Sequence, residues 1–257
     1  MPGIAPMPDS KPIAPPNSAE RPSARLMLVR AISVAVGLML WFGTQAMLGA
    51  RAFPPGVSEY DLGEAARVLL AGDALLAGTA KWNDWLAAND AAANALLVAS
   101  SLIIDALGIF LLAWAIFGPS LRPFVGLLCL FALRQACQVM SALPAPPGMI
   151  WHDPGFPSLL VTYHVANDFF FSGHTALAVF GAVELGRLNR RKLAVVAATV
   201  AVFQMTAVLV LRAHWTLDVF TGAVAAMYVS RTLRWLGPWC DDRLDLLVRR
   251  RGSTVLH

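Results

Sequence analysis

Six runs of predominantly apolar residues, 26–50, 91–117, 121–143, 172–188, 193–211 and 214–236, divide this chain, each close to the roughly 17–25 residues that a helix needs to cross a bilayer. Inside hydrocarbon every backbone N–H and C=O must find its partner within the segment or its neighbours, which leaves helix as the conformation for such runs. The expected fold is therefore all-α, a polytopic membrane protein with about six transmembrane helices. Composition agrees: 57% of the residues are hydrophobic and only 14% are charged, too few to wet the surface of a soluble domain.

The placement of the basic residues then sets the topology. A formal net charge of +4 would suit nucleic acid if it formed one soluble face, but here it is distributed between the apolar runs. Lys11, Arg21, Arg25, Arg30, Arg122, Arg187, Arg190, Arg191, Lys192, Arg231, Arg234, Arg243 and Arg249 to Arg251 all fall on one side if both termini are cytoplasmic. The other side holds Arg51, Arg67 and Lys81. The positive-inside rule thus predicts cytoplasmic termini and no nucleic-acid partner. Residues 1–25 read as a disordered cytoplasmic tail rich in Pro, Ala and Ser, 26–236 as a six-helix transmembrane domain, and 237–257 as a basic cytoplasmic tail. Cys129, Cys137 and Cys240 have neither metal-ligand spacing nor a disulfide framework.

Two connections face away from the basic side. The first, 51–90, contains "DLGEAARVLLAGDALLAG" and "KWNDWL", whose apolar spacing and tryptophans suit an interfacial amphipathic helix or a folded cap. The second, 144–168, has the Pro- and Gly-rich stretch "LPAPPGMIWHDPGFP" at its start, which predicts a rigid turn structure over the membrane surface, with His152 and His164 as wetted side chains.

That second connection leads into "FFFSGHTALAVF", where a serine, a histidine and a threonine interrupt an apolar run. Unpartnered polar groups in hydrocarbon cost several kcal/mol each, roughly, so the cluster belongs at a water boundary or at a chemical site. Ser172 is a good N-cap, and His174 then sits at the positive end of the fourth run's helix. In "RAHWTLDVF", His214 and Asp218 are four apart and share a helix face, so the carboxylate fixes the imidazole tautomer and frees the other nitrogen as nucleophile or base. With Arg212 nearby, these groups make a phosphate site at a membrane surface. Zinc held by His174, His214 and Asp218 is the alternative, although no further ligand cluster accompanies them. Each histidine alone would read as an interfacial residue.

On these residues the chain resembles the sphingomyelin synthase-related branch of the type 2 phosphatidic acid phosphatase (lipid phosphatase and phosphotransferase) superfamily. The branch's aspartate, three residues, then Ser-Gly-His-Thr is matched by Asp168 and Ser172 to Thr175. Its His-Tyr-Thr-x-Asp-Val is matched by His214 to Val219, with Trp215 in place of tyrosine. "RQACQVMSALPAPPG" is a looser match, with Pro147 inserted and Cys137 where threonine is usual, and "SRTLRW" is similar to the family's residues beyond its last motif. The resemblance covers roughly 134–235. It implies six spans with cytosolic termini, a His-His-Asp triad on the exoplasmic side, and no metal or cofactor. Plain phosphatases of the superfamily carry Lys-x6-Arg-Pro, a proline where Phe171 stands and an arginine where Val208 stands. Their absence favours transfer between lipids over hydrolysis.

The expected chemistry uses both histidines. His214, oriented by Asp218, attacks the phosphorus of a phospholipid headgroup ester, while His174 protonates the departing diacylglycerol and later deprotonates the acceptor hydroxyl. Arg212 and Arg134 would stabilise phosphoryl charge, with Ser172 and Asp168 completing the substrate-binding set. Asp168 either orients His174, as the resemblance implies, or is a loop residue. Asp105, mid-run, costs about 2.5 kcal/mol or more, so a partner such as Arg134 or a wet cavity is expected, in a structural or a substrate role. The partners are a phospholipid donor and a lipid acceptor such as ceramide or diacylglycerol, within the bilayer, and the group moved is phosphocholine or phosphoethanolamine. Trp151 and Trp215 alone do not define a choline cage. A lipid phosphatase with water as acceptor, or a non-catalytic protein on the same scaffold, remain the competing readings. Alanine- and arginine-rich composition points to a bacterial inner membrane, with the site facing the periplasm.

Overall fold

The computed structural model describes residues 22–49, 58–141, 143–163, 169–188 and 191–253, and these residues form helices joined by turns and extended connections. Six helices build the bundle: α1 (Ala24–Gly49), α5 (Asp90–Phe117), α6 (Arg122–Met140), α7 (Gly173–Gly186), α8 (Arg191–Val210) and α9 (Thr216–Ser253). Three short ones, α2 (Glu59–Gly72), α3 (Ala74–Gly78) and α4 (Ala80–Ala87), lie between α1 and α5.

Four helices, α1, α5, α6 and α8, are long and apolar enough to cross a membrane. The other two runs differ for identifiable reasons. α7 has 14 residues, about 21 Å at 1.5 Å per residue, against a hydrocarbon core of roughly 30 Å. It begins where expected, with Ser172 as its cap, and closes at Gly186, two residues before the expected end. α9 is 38 residues long and continues through Pro238 into the charged segment expected as a separate tail.

The bundle helices alternate in direction, as specific bonds at each end show. Gln45 near the end of α1 meets Arg134 near the end of α6, and Ser172 before α7 meets Asp218 at the start of α9. At the opposite end Arg30 of α1 reaches the carbonyl of Gly118 after α5, and Arg122 opening α6 meets Glu184 closing α7. Between the ends lies an apolar core in which Leu111, Phe124, Leu130, Phe171, Phe180 and Leu233 are buried together. Aromatic and leucine burial of this kind contributes about 1.5–3 kcal/mol per side chain in water; between helices in lipid, close packing takes over that role.

A second apolar cluster joins Leu76 and Leu86 of α3 and α4 to Leu97, Val208, Leu211 and Trp215. The connection, expected as an interfacial amphipathic helix or a folded cap, is thus three helices packed over one end of the bundle. Trp82, Trp85, Val68 and Leu75 remain exposed on its outer face, as an interfacial element requires.

Candidate active site

Ser172 caps α7 as its sequence predicts: its Oγ accepts from the Thr175 N–H at 3.3 Å. Its own N–H donates to the Asp218 carbonyl at 3.1 Å, tying the start of α7 to the start of α9. Gly222 permits this approach, because a Cβ there would sit 2.6 Å from the Ser172 carbonyl oxygen. Two helix N-termini, each with partial positive charge, therefore converge on one point.

The chain reaches His214 through an unusual turn. The Ala213 N–H bonds to the Val208 carbonyl and the Arg212 N–H to the Leu209 carbonyl, the paired bonds of a Schellman motif ending α8. Its left-handed position is normally glycine, yet here it is Arg212, at φ 51°, a conformation that costs a non-glycine residue about 1 kcal/mol or more. The side chain explains the choice, since Arg212 Nη1 donates to the Pro147 carbonyl at 2.6 Å. Arg212 thus holds the 143–163 segment and does not line the cavity described below.

His214 Nδ1 lies 3.3 Å from Asp218 Oδ2, which also accepts from the Trp215 N–H at 3.0 Å. Asp218 is fully buried, so the imidazole is oriented through Nδ1 and its Nε2 is left for chemistry. His174 stands across from it in the first turn of α7. Its Nε2 is buried without a hydrogen-bond partner among the described residues, and its ring meets Trp151 edge-on at 5.3 Å.

Both histidines line one cavity of about 70 Å³, large enough for small polar groups. Arg134 joins them, held by its Nη1 bond to Gln45 at 2.7 Å. Gly173 lets it do so: a Cβ there would lie 3.2 Å from Arg134 Nε. The remaining wall includes the aromatic rings of Trp41, Phe131, Trp151 and Phe169 and, among the described residues, no carboxylate. Of the seven residues expected from sequence, His174, His214 and Arg134 line the cavity, Asp218 and Ser172 support it from behind, and Arg212 braces a loop. Asp168, like His164, lies outside the described residues.

Asp105 finds a different partner from the expected arginine. Its carboxylate accepts from Ser158 Oγ at 2.9 Å and from the Leu159 and Leu160 N–H groups at 2.8 Å each. The 143–163 segment is therefore no surface turn; it dips between the helices to the middle of α5. His152 stays exposed and bonds Asn94.

Two supports escape sequence reasoning. Asn83 of α4 is buried and donates to the carbonyls of Gly148 and Val210 at 3.1 and 3.0 Å. Asp73 caps α3 through the Leu76 N–H and also accepts from the Thr216 N–H and hydroxyl at 2.9 and 2.5 Å, so it caps α9 as well. An aspartate between small residues in "AGDALLAG" is an N-cap signal for α3, but its second role needs a residue 143 positions away.

The model of the family described as AtPDCT1/2 matches residues 73–233, more than half of the chain. Phosphatidylcholine:diacylglycerol cholinephosphotransferase 1 of Arabidopsis thaliana is 28% identical over 114 residues, covering 44% of this chain. That stretch is 36% of the relative, so the chain matches about a third of its length. The plant origin of this relative lends no support to the bacterial membrane and periplasmic site expected from composition. No solved structure matches. The matched region runs from Asp73, the shared cap, through Asp105, Arg134 and both histidines to Leu233, and on that match the chain belongs to the AtPDCT1/2 family.

Proposed function

We propose that the protein is a membrane lipid headgroup phosphotransferase, moving phosphocholine from phosphatidylcholine to the hydroxyl of diacylglycerol. The observation that carries this reading is the single cavity shared by His174, His214 and Arg134, with His214 Nδ1 held by Asp218. Two imidazoles beside a guanidinium at converging helix N-termini suit a tetrahedral phosphate in transit. The named activity of the Arabidopsis relative supports the choice of headgroup and acceptor. So does the aromatic wall, since a quaternary ammonium is content against aromatic faces.

In the first half-reaction His214 Nε2 attacks phosphorus, the bond from phosphorus to the diacylglycerol oxygen breaks, and His174 supplies that oxygen with a proton. In the second, His174 takes the proton of the acceptor hydroxyl, whose oxygen attacks phosphorus as the P–N bond breaks. Arg134 balances charge on the phosphoryl oxygens throughout. Asp168 orients His174, and Ser172 serves the substrate through the helix start it caps. The topology proposed with this mechanism is six spans across residues 26–236, both termini cytoplasmic and the site on the opposite side, within the type 2 phosphatidic acid phosphatase superfamily.

The test is purified full-length protein in phosphatidylcholine vesicles containing diacylglycerol labelled in its glycerol. Labelled phosphatidylcholine that disappears with His214→Ala is the expected result. Exclusive formation of sphingomyelin when ceramide is offered would change the acceptor, and activity only in phosphatidylethanolamine vesicles would change the headgroup. Free phosphocholine with no lipid product would make the protein a hydrolase.

A further inference from the structure

We infer that Asp105 is a positioning residue which, by fixing the re-entrant 143–163 segment, keeps water from the phosphohistidine, so that the balance between lipid transfer and hydrolysis is set by a carboxylate outside the cavity. The inference rests on the transferase reading above.

Asp105 is buried on α5, fifteen residues beyond Asp90, or about 22 Å from the start of that helix at 1.5 Å per residue. Backbone without regular structure cannot stand at that depth unless its N–H groups find acceptors inside the protein. The two carboxylate oxygens provide them: Oδ2 takes the Ser158 hydroxyl and the Leu159 N–H, and Oδ1 takes the Leu160 N–H. One turn further along α5, Gly108 has no side chain where Leu160 lies; a Cβ would be 2.1 Å from Leu160 Cδ1. One turn earlier, the Ser101 hydroxyl meets the Tyr163 hydroxyl at 2.5 Å. Three successive turns of α5 are thus fitted to residues 158–163.

Those same residues build the cavity. Leu160, Val161 and Thr162 line it, and the Thr162 carbonyl accepts from Trp151 Nε1 at 3.2 Å. Trp151 in turn abuts the His174 ring. Asp105 is not itself among the lining residues, so it acts on the reacting groups only through this segment.

A phosphohistidine has two fates. With a lipid hydroxyl the P–N bond breaks, a P–O bond forms to the lipid oxygen, and the hydroxyl proton goes to His174. With water the same bonds break and form, the proton goes to the same place, and the product is free phosphocholine. The chemistry does not distinguish the acceptors; only the wall that admits one oxygen and excludes the other does. In Asp105→Asn one oxygen is replaced by an amide NH2, which faces a backbone N–H and leaves a donor without an acceptor.

The experiment compares wild type and Asp105→Asn in phosphatidylcholine vesicles with labelled diacylglycerol, reading free phosphocholine against labelled phosphatidylcholine, together with hydrogen–deuterium exchange over 158–163. Expected are faster exchange at Leu159 and Leu160 and a hydrolysis-to-transfer ratio that rises by roughly tenfold. Ser158→Ala, which removes one donor and keeps the carboxylate, should move both readouts in the same direction by less, and stands in if the first variant fails to fold. Unchanged exchange, or faster exchange with an unchanged ratio, overturns the inference while leaving the transferase reading intact. A wild-type protein that makes no lipid product sinks that reading and this inference with it.

Discussion

The two ends of the helix bundle handle buried polarity in opposite ways. At the end away from the site, Arg122 makes a two-pronged pair with Glu184 at 2.7 and 3.0 Å and donates to the Ser230 carbonyl, while the Ser230 hydroxyl donates to Glu184. Asp241 of α9 accepts from the Leu121 N–H and the Ser120 hydroxyl and pairs with Arg30. Almost every charge there is matched, Arg30 Nε being the exception. At the site end, His174 Nε2, Thr175 Oγ1, Asp218 Oδ1 and Arg212 Nε are buried without partners among the described residues. Helices α6, α7 and α9 supply both ends, so the contrast is not one of composition. Buried polar atoms normally find partners; of these four, His174 Nε2 belongs to a residue that lines the cavity, where it keeps bonding capacity for what the cavity holds.

This contrast is sharpest at the histidines. His174→Ala should reduce turnover by roughly 10²–10⁴-fold, the usual contribution of a general acid–base group. Its thermal unfolding midpoint in detergent should stay near that of wild type, because Nε2 makes no hydrogen bond among the described residues. A large fall in that midpoint would mean that His174 is a structural residue. Next is Glu184→Ala, which leaves the mostly enclosed Arg122 without its carboxylate, at a cost of up to about 3 kcal/mol because the Ser230 carbonyl remains its acceptor. Replacing both, as Arg122→Met with Glu184→Leu, should restore most of the stability with transfer activity retained. A single mutant as stable as wild type would show that the matched end carries no load.

Asp73→Ala is intermediate. Loss of a cap costs about 0.5–2 kcal/mol, and here two helices share it. Because one of them is α9, activity should fall more than stability, an outcome that unequal changes in turnover and melting would reveal. The smallest effect belongs to the exposed cap of α2, where Ser58 bonds hold the Asp61 carboxyl below its usual value of 3.8. A lowered value in the folded state means the contribution is complete above that pH and is lost as acid protonates the carboxylate. Amide exchange in α2 should therefore accelerate below pH 3.8 in wild type, show no such step in Asp61→Asn, and leave turnover near neutral pH unchanged.

Much of this can be read from the chain because the signals are local. Apolar length predicts the helices, Ser172 is recognisable as a cap three residues before Thr175, and the spacing of His214 and Asp218 is helical. What cannot be read is tertiary. The position of Asp105 within an apolar run shows that it needs a partner, but backbone donors at 159 and 160 leave no trace in side-chain identity. Arg212 resembles a phosphate ligand because it adjoins His214; the left-handed turn ending α8 aims it at Pro147 instead. The 143–163 segment, full of prolines, has the composition of a surface turn, and its internal acceptor lies about fifty residues upstream. α7, 173–186, matches its apolar run of 172–188 to within two residues at either end, so its shortness is legible in the chain.

One helix has a consequence for how the protein is made. α9 carries Asp218 behind His214, Gly222 against the Ser172 carbonyl, Ser230 beside Arg122 and Asp241 beneath Arg30. It is the last of the bundle helices to be synthesised. Until it is in place, Arg30 of α1 lacks its carboxylate, the Arg122–Glu184 pair lacks the Ser230 bonds, and His214 lacks the carboxylate that orients it. The candidate site and the opposite end of the bundle are therefore completed in the same step of biogenesis.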